Sequence, residues 1–208
     1  MTTRTFLLGL TAAFGLPWLL LVVVPYGQTK ALVPKPLDPE GIEVYPPPNG
    51  GLVLAGQRVF NDQGCYNCHT QVIRPTYAGP DRWRDGWAGD PMALRETEPM
   101  DYLGQPYAQL GRERIGPDLA NIGFRMTDAR WHYQHLYNPR SVVSWSVMPS
   151  FAHLFERRRV DGQPGVLAVA GASVADGCEA VPGDDARTLV AYLLGLRKDA
   201  PNRAPASP

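Results

Sequence analysis

The run Cys65-Tyr66-Asn67-Cys68-His69 constrains this chain more than any other stretch of it. The two cysteines stand three residues apart and the histidine follows the second. One helical turn therefore presents two thiols and an imidazole to the same side. Upstream, Leu52, Ala55, Gly56, Val59 and Phe60 repeat at helical spacing, and the run ends at Gln63-Gly64. A helix is thus expected to deliver the chain to the motif. A structural zinc site needs four ligands, and no second paired Cys or His cluster follows. A redox-active dithiol gives His69 no role. What this pattern does serve is covalent attachment of one haem c, with thioethers from Cys65 and Cys68 and with His69 on the iron.

A second axial ligand has to come from far along the chain. Met92, Met100, Met126 and Met148 are the internal methionines. Met148 precedes Pro149, which pushes it into an extended conformation and lets its thioether project from an irregular loop. Met148 is the expected ligand and His153 the next choice. His132 and His135 fall in a helix expected to start near Thr127-Asp128. A six-coordinate His69/Met148 iron leaves no open position, so electron exchange is expected rather than substrate binding. The competing possibility is a five-coordinate haem that binds a gas or peroxide.

Residues 5–24 carry no charge and, as a helix, span roughly 30 Å, the hydrocarbon thickness of a bilayer. Pro17 is expected to kink this span without abolishing it. A cleaved signal has a shorter apolar core and a small-x-small site, and residues 25–30 offer none, so an uncleaved anchor over 1–30 is expected. Arg4 on one side is matched by Lys30 and Lys35 on the other, which leaves orientation open. Six prolines in 31–50 predict a semi-rigid polyproline II linker or an arm along a partner. The haem domain is expected over 51–198, with a disordered tail at 199–208. Lys and Arg total 20 against 20 Asp and Glu, which gives no basis for a nucleic-acid partner. Cys178 is left without a partner in the chain, so a buried free thiol is expected there, with an intermolecular link the alternative.

Further blocks carry a resemblance. Together with the motif, Gly116-Pro117-Asp118-Leu119, Met148-Pro149 and the helical run Ala186–Leu194 resemble a class I cytochrome c domain. The resemblance implies that the Pro117 carbonyl accepts a hydrogen bond from the His69 imidazole. Residues 64–75, 114–119, 138–143 and 146–151 resemble, in the same order, the membrane-anchored mono-haem subunit II of cbb-type cytochrome c oxidases. The implied fold is mainly α: one N-terminal transmembrane helix, then a class I cytochrome c-like helical domain with long loop insertions and little sheet. Arg74, Arg114 and Arg140 each lie in a matched block, and a guanidinium can hold a haem propionate through two parallel hydrogen bonds. Trp83, Trp87, Tyr102 and Tyr107 in the insertion are candidates for roofing the haem edge or for a subunit interface. Arg157-Arg158-Arg159 reads as a solvated charge run.

The resemblance implies an electron-transfer subunit of a membrane terminal oxidase, without bond chemistry of its own. Its implied partners are a catalytic haem-copper oxidase subunit that reduces oxygen to water and a further cytochrome c donor subunit or carrier. The alternatives are a stand-alone membrane-anchored carrier and the haem c subunit of a nitric oxide reductase. Location in the cytoplasmic (inner) membrane is expected, single-pass, with the haem domain on the periplasmic or outer side. Wording in residues 75–110 departs from the family's usual pattern, and 156–185 add a Gly-rich loop.

Overall fold

In a computed structural model, residues 2–89, 94–170 and 177–198 are described. Met92 and the 199–208 tail lie outside them. The chain divides into two units, Met1–Pro47 with Glu98–Leu103, and Pro48–Thr97 with Gly104–Pro208.

The first unit opens with α1 (Thr3–Trp18), a π-helical turn (Leu19–Val23) and α2 (Val24–Lys30), which run on as one helix of 28 residues. Its composition and length suffice to cross a bilayer. The widened turn lies between Pro17 and Pro25, the two places where a backbone donor is missing. Val24 N–H reaches back five residues to the Leu19 carbonyl, so the helix continues past these gaps. Thr2 caps the start through its hydroxyl, which accepts from Thr5 N–H at 3.2 Å.

The Pro-rich segment is not a continuous extended spacer. It folds back as a short antiparallel pair, β1 (Lys35–Pro36) against β2 (Val44–Tyr45). Gly41, at φ +69°, sits in the return, where a side chain would be strained. Tyr45 is buried, and its hydroxyl hydrogen-bonds the Asp101 carboxylate of the short turn Pro99–Tyr102. Proline at the strand positions removes donors that a longer sheet needs, which keeps the pair to two residues each.

In the second unit α3 (Gly51–Asp62) leads to the motif, followed by α4 (Ile122–Arg125), α5 (Ala129–Tyr137) and α6 (Pro139–Val142). The order then runs β3 (Phe155–Arg159), β4 (Cys178–Pro182) and α7 (Asp184–Gly195). The core is built where α3 crosses α7. A Cβ at Gly56 would lie 1.9 Å from the Thr188 carbonyl oxygen, so the two backbones approach as closely as a glycine allows. Phe60 and Tyr192 close the crossing, with ring centroids 5.5 Å apart. Leu189, Val190, Leu193, Leu136 and Leu154 complete one cluster, and burying each large apolar side chain stabilises by about 1.5–3 kcal/mol. At Gly123 a Cβ would lie 2.1 Å from the Leu194 carbonyl oxygen, which seats α4 on α7 in the same way.

The Gly-rich 156–185 insertion is bounded by an antiparallel pair rather than being loop throughout. Phe155 pairs with Pro182 and Arg159 with Cys178. Arg158 is not merely solvated: its Nε and Nη2 reach Glu179 Oε1 at 2.9 and 2.6 Å, and Gly165 N–H donates to Oε2 at 2.7 Å. Sheet content stays small and the described residues are mainly helical, as expected.

Candidate functional site

Where α3 ends, Gly64 at φ +69° turns the chain, and Cys65–Asn67 form a 3-10 turn. Cys68 and His69 N–H both donate to the Cys65 carbonyl, at 3.1 and 3.0 Å, so the motif makes the single tight turn its spacing predicts. Cys65 and Cys68, both half-buried, are not joined in a disulfide. Burial pushes the Cys65 thiol up to about 11.

A backbone ladder joins the motif to residues 110–119. Gln71 N–H donates to Leu110, Arg112 to Tyr66, Gly116 to Cys68 and Leu119 to Thr70, all within 2.7–3.0 Å. The ladder sets His69 Nδ1 2.8 Å from the Pro117 carbonyl oxygen. A carbonyl only accepts, so Nδ1 carries the proton and Nε2 keeps its lone pair. Burial lowers the His69 pKa, against the opposing pull of the Pro117 hydrogen bond and of Asp118. A neutral imidazole with a free Nε2 is the form that ligates a metal. Two glycines make room for it. At Gly116 a Cβ would meet His69 Cε1 at 2.2 Å, and at Gly111 one would meet the His69 carbonyl oxygen at 2.2 Å.

The other candidates separate by their surroundings. Met148 and Cys65, both half-buried, pack against the same hydrophobic cluster, as does Met126. Met100 lies in the first unit. His153 Nε2 is engaged by Gln63 Oε1 at 2.8 Å, and His132 Nε2 by the Met126 carbonyl at 2.8 Å. His135 stacks on Trp131 with centroids 4.8 Å apart. Burial, then coupling to the neighbouring His69 and His132 imidazoles, pushes it down to about 4, so it stays neutral at neutral pH. Its Nδ1 and the Nε of Arg125 are buried without a hydrogen-bond partner among the described residues, and both side chains couple electrostatically to His69. Two such polar atoms coupled to His69 fit a site that a polar-edged prosthetic group completes.

Of the three arginines in the matched blocks, Arg140 is exposed. Arg74 and Arg114 turn instead to Asp81, which is fully buried. Arg74 Nε and Nη2 donate to it at 3.0 and 2.9 Å, and Arg114 Nη1 at 2.8 Å. Burial alone would raise the Asp81 carboxyl, but hydrogen bonds from Arg74 and Arg114 overrule it and hold it at about 2. Nothing in the wording of residues 75–110 marks Asp81 as a buried acid, and no motif frames Arg125. Trp87 packs in this network, its ring 5.2 Å from the Arg114 guanidinium and 5.5 Å from that of Arg125. Trp83 is exposed, and Tyr107 accepts from Asn61 Nδ2 at 3.0 Å at the rim of a groove lined by Tyr66 and Arg112. Tyr102 is half-buried in the first unit. Cys178 is half-buried at the start of β4, and its thiol is free.

Comparison with protein families gives a match over residues 11–166 to the family described as cytochrome C oxidase, mono-heme subunit/FixO. No curated protein matches the chain.

Proposed function

The chain belongs to the family of mono-haem subunits of cytochrome c oxidases, and from that premise we propose that it relays electrons through one haem c held by Cys65, Cys68, His69 and Met148. Membership makes it an electron-transfer subunit that carries one haem c and assembles with other oxidase subunits. When bound, the haem supplies a one-electron ferrous/ferric couple. The observation that carries the residue assignment is the His69 Nδ1 to Pro117 hydrogen bond of 2.8 Å, which reserves Nε2 for iron.

The protein residues divide the remaining work. Cys65 and Cys68 tether the porphyrin edge to the turn after α3. Met148, in the loop beyond α6, would supply a thioether to the iron, and packing against the same cluster as Cys65 supports that role. Methionine ligation and burial keep the potential high. The donor is a further cytochrome c subunit or carrier, and the acceptor is the haem-copper subunit that reduces oxygen to water. The helix Thr3–Lys30 anchors the chain by a single pass, and the haem domain lies on the outer, periplasmic side of the cytoplasmic membrane, where haem is attached to such motifs. Arg140, the exposed arginine of the matched blocks, remains available to a propionate, whereas carboxylates already engage Arg74 and Arg114.

Purification in mild detergent tests the assignment. The chain should come out with b-type haem, copper and oxygen uptake. A preparation containing haem c alone sinks it in favour of a stand-alone carrier. Nitric oxide reduction without copper points to the reductase subunit.

A further inference from the structure

We infer that Arg114 is a positioning residue for the His69 imidazole, holding the Pro117 carbonyl against Nδ1 through a fork of hydrogen bonds. The inference rests on the reading of His69 as an iron ligand. Arg114 Nε donates to the Thr70 hydroxyl at 2.7 Å, one residue beyond His69. Its Nη2 donates to the Val72 carbonyl at 2.6 Å and approaches Asp118 Oδ2 at 3.4 Å, one residue beyond Pro117. Its Nη1 donates to Asp81 at 2.8 Å. One planar side chain thus ties both sides of the His69–Pro117 hydrogen bond to a buried carboxylate in the insertion.

The Asp118 carboxylate repeats the tie. Oδ2 accepts from the Thr70 hydroxyl at 2.6 Å and from Val72 N–H at 2.8 Å, and Oδ1 accepts from Ala120 N–H at 2.8 Å. With Asp118 fixed at both oxygens, the peptide joining it to Pro117 has little freedom to rotate, and the Pro117 carbonyl keeps its aim. The Arg114 side chain is 17% exposed and that of Asp81 0%, so these are not solvent-screened surface pairs. The geometry calls for a fork rather than a charge: four partners met by three nitrogens in a plane match a guanidinium and not an ammonium.

A firm Nδ1–H···O=C bond makes the imidazole a stronger donor, which favours ferric iron and lowers the potential. Slackening it raises the potential. Two variants separate this from a bulk charge effect, since neither alters net charge: Arg114→Lys and Thr70→Val, measured by redox titration of the haem c in the purified complex. The inference predicts an upward shift of midpoint potential in both, with faster solvent exchange of the His69 Nδ1 proton by NMR. An unchanged or lowered potential with an unchanged Nδ1 proton overturns it. If Arg114→Lys does not accumulate with haem, Thr70→Val alone decides by the same criterion. Failure of the underlying reading shows separately, as a wild-type chain without a haem c spectrum or as iron ligation that survives His69→Ala.

Discussion

Gly116 lies flat against the His69 ring: a Cβ there would stand 2.2 Å from Cε1, 2.7 Å from Nδ1 and 2.8 Å from Nε2. No shift of a flexible tip relieves such a contact, because all three atoms belong to a ring whose Nδ1 is tied to Pro117. Gly116→Ala should therefore turn the imidazole, break that hydrogen bond and cost about 1–3 kcal/mol by overpacking. Optical spectra of the variant should show loss of the low-spin haem c signature, with a lowered melting temperature. A wild-type spectrum would mean that the ring tolerates displacement.

The buried Asp81 sets an acid limit. Its carboxyl titrates at about 2 in the folded chain against an ordinary 3.8. A depressed folded value means that the stabilisation is fully present above pH ~4 and is lost as pH falls toward ~2, and linkage sets it at about 2 kcal/mol. Asp81→Asn should remove that contribution at neutral pH and flatten the acid limb of a denaturation-midpoint profile. A variant that keeps the wild-type acid slope would assign the loss to other carboxylates.

Helix packing gives a prediction in which two effects oppose. Alanine at position 56 gains about 1 kcal/mol of helix propensity over glycine. Yet its Cβ would fall 1.9 Å from the Thr188 carbonyl oxygen and 2.7 Å from the Tyr192 Cβ, so α3 and α7 must part. The clash wins, because the nearest atom is backbone and the Phe60–Tyr192 contact rests on the same crossing. Gly56→Ala should lower the denaturant midpoint. Gly51→Ala, at a position where nothing stands within 4 Å, should leave it unchanged or raise it.

Periodicity and chemistry made much of this legible in advance. The spacing of Val59 and Phe60 predicts α3, the run Ala186–Leu194 falls within α7, and Asp128 caps α5 by accepting from Arg130 N–H at 2.9 Å. The Cys65–His69 turn is local, so its hydrogen bonds follow from spacing alone. What escaped depends on residues distant in sequence. Asp81 meets Arg114 across 33 positions and Arg158 meets Glu179 across 21, and no short-range pattern announces such pairs. The β1–β2 return was hidden by its prolines, which read as an extended spacer although Tyr45 is a buried anchor.

Met148 is the residue on which the proposed six-coordinate iron most depends. It packs against the same hydrophobic cluster as Cys65, and its backbone N–H donates to the Ser146 hydroxyl at 3.2 Å, which holds the loop in place. Met148→Ala should open one axial position, so that the reduced haem c binds carbon monoxide where the wild-type haem c does not, and the midpoint potential should fall. Met126 supplies the control, because it packs on the same cluster. Met126→Ala removes a comparable volume and should cost stability without conferring carbon monoxide binding. Carbon monoxide difference spectra of the two variants settle the assignment: binding in Met126→Ala alone transfers the ligand role to Met126, and binding by the wild type at an unchanged rate indicates a five-coordinate iron.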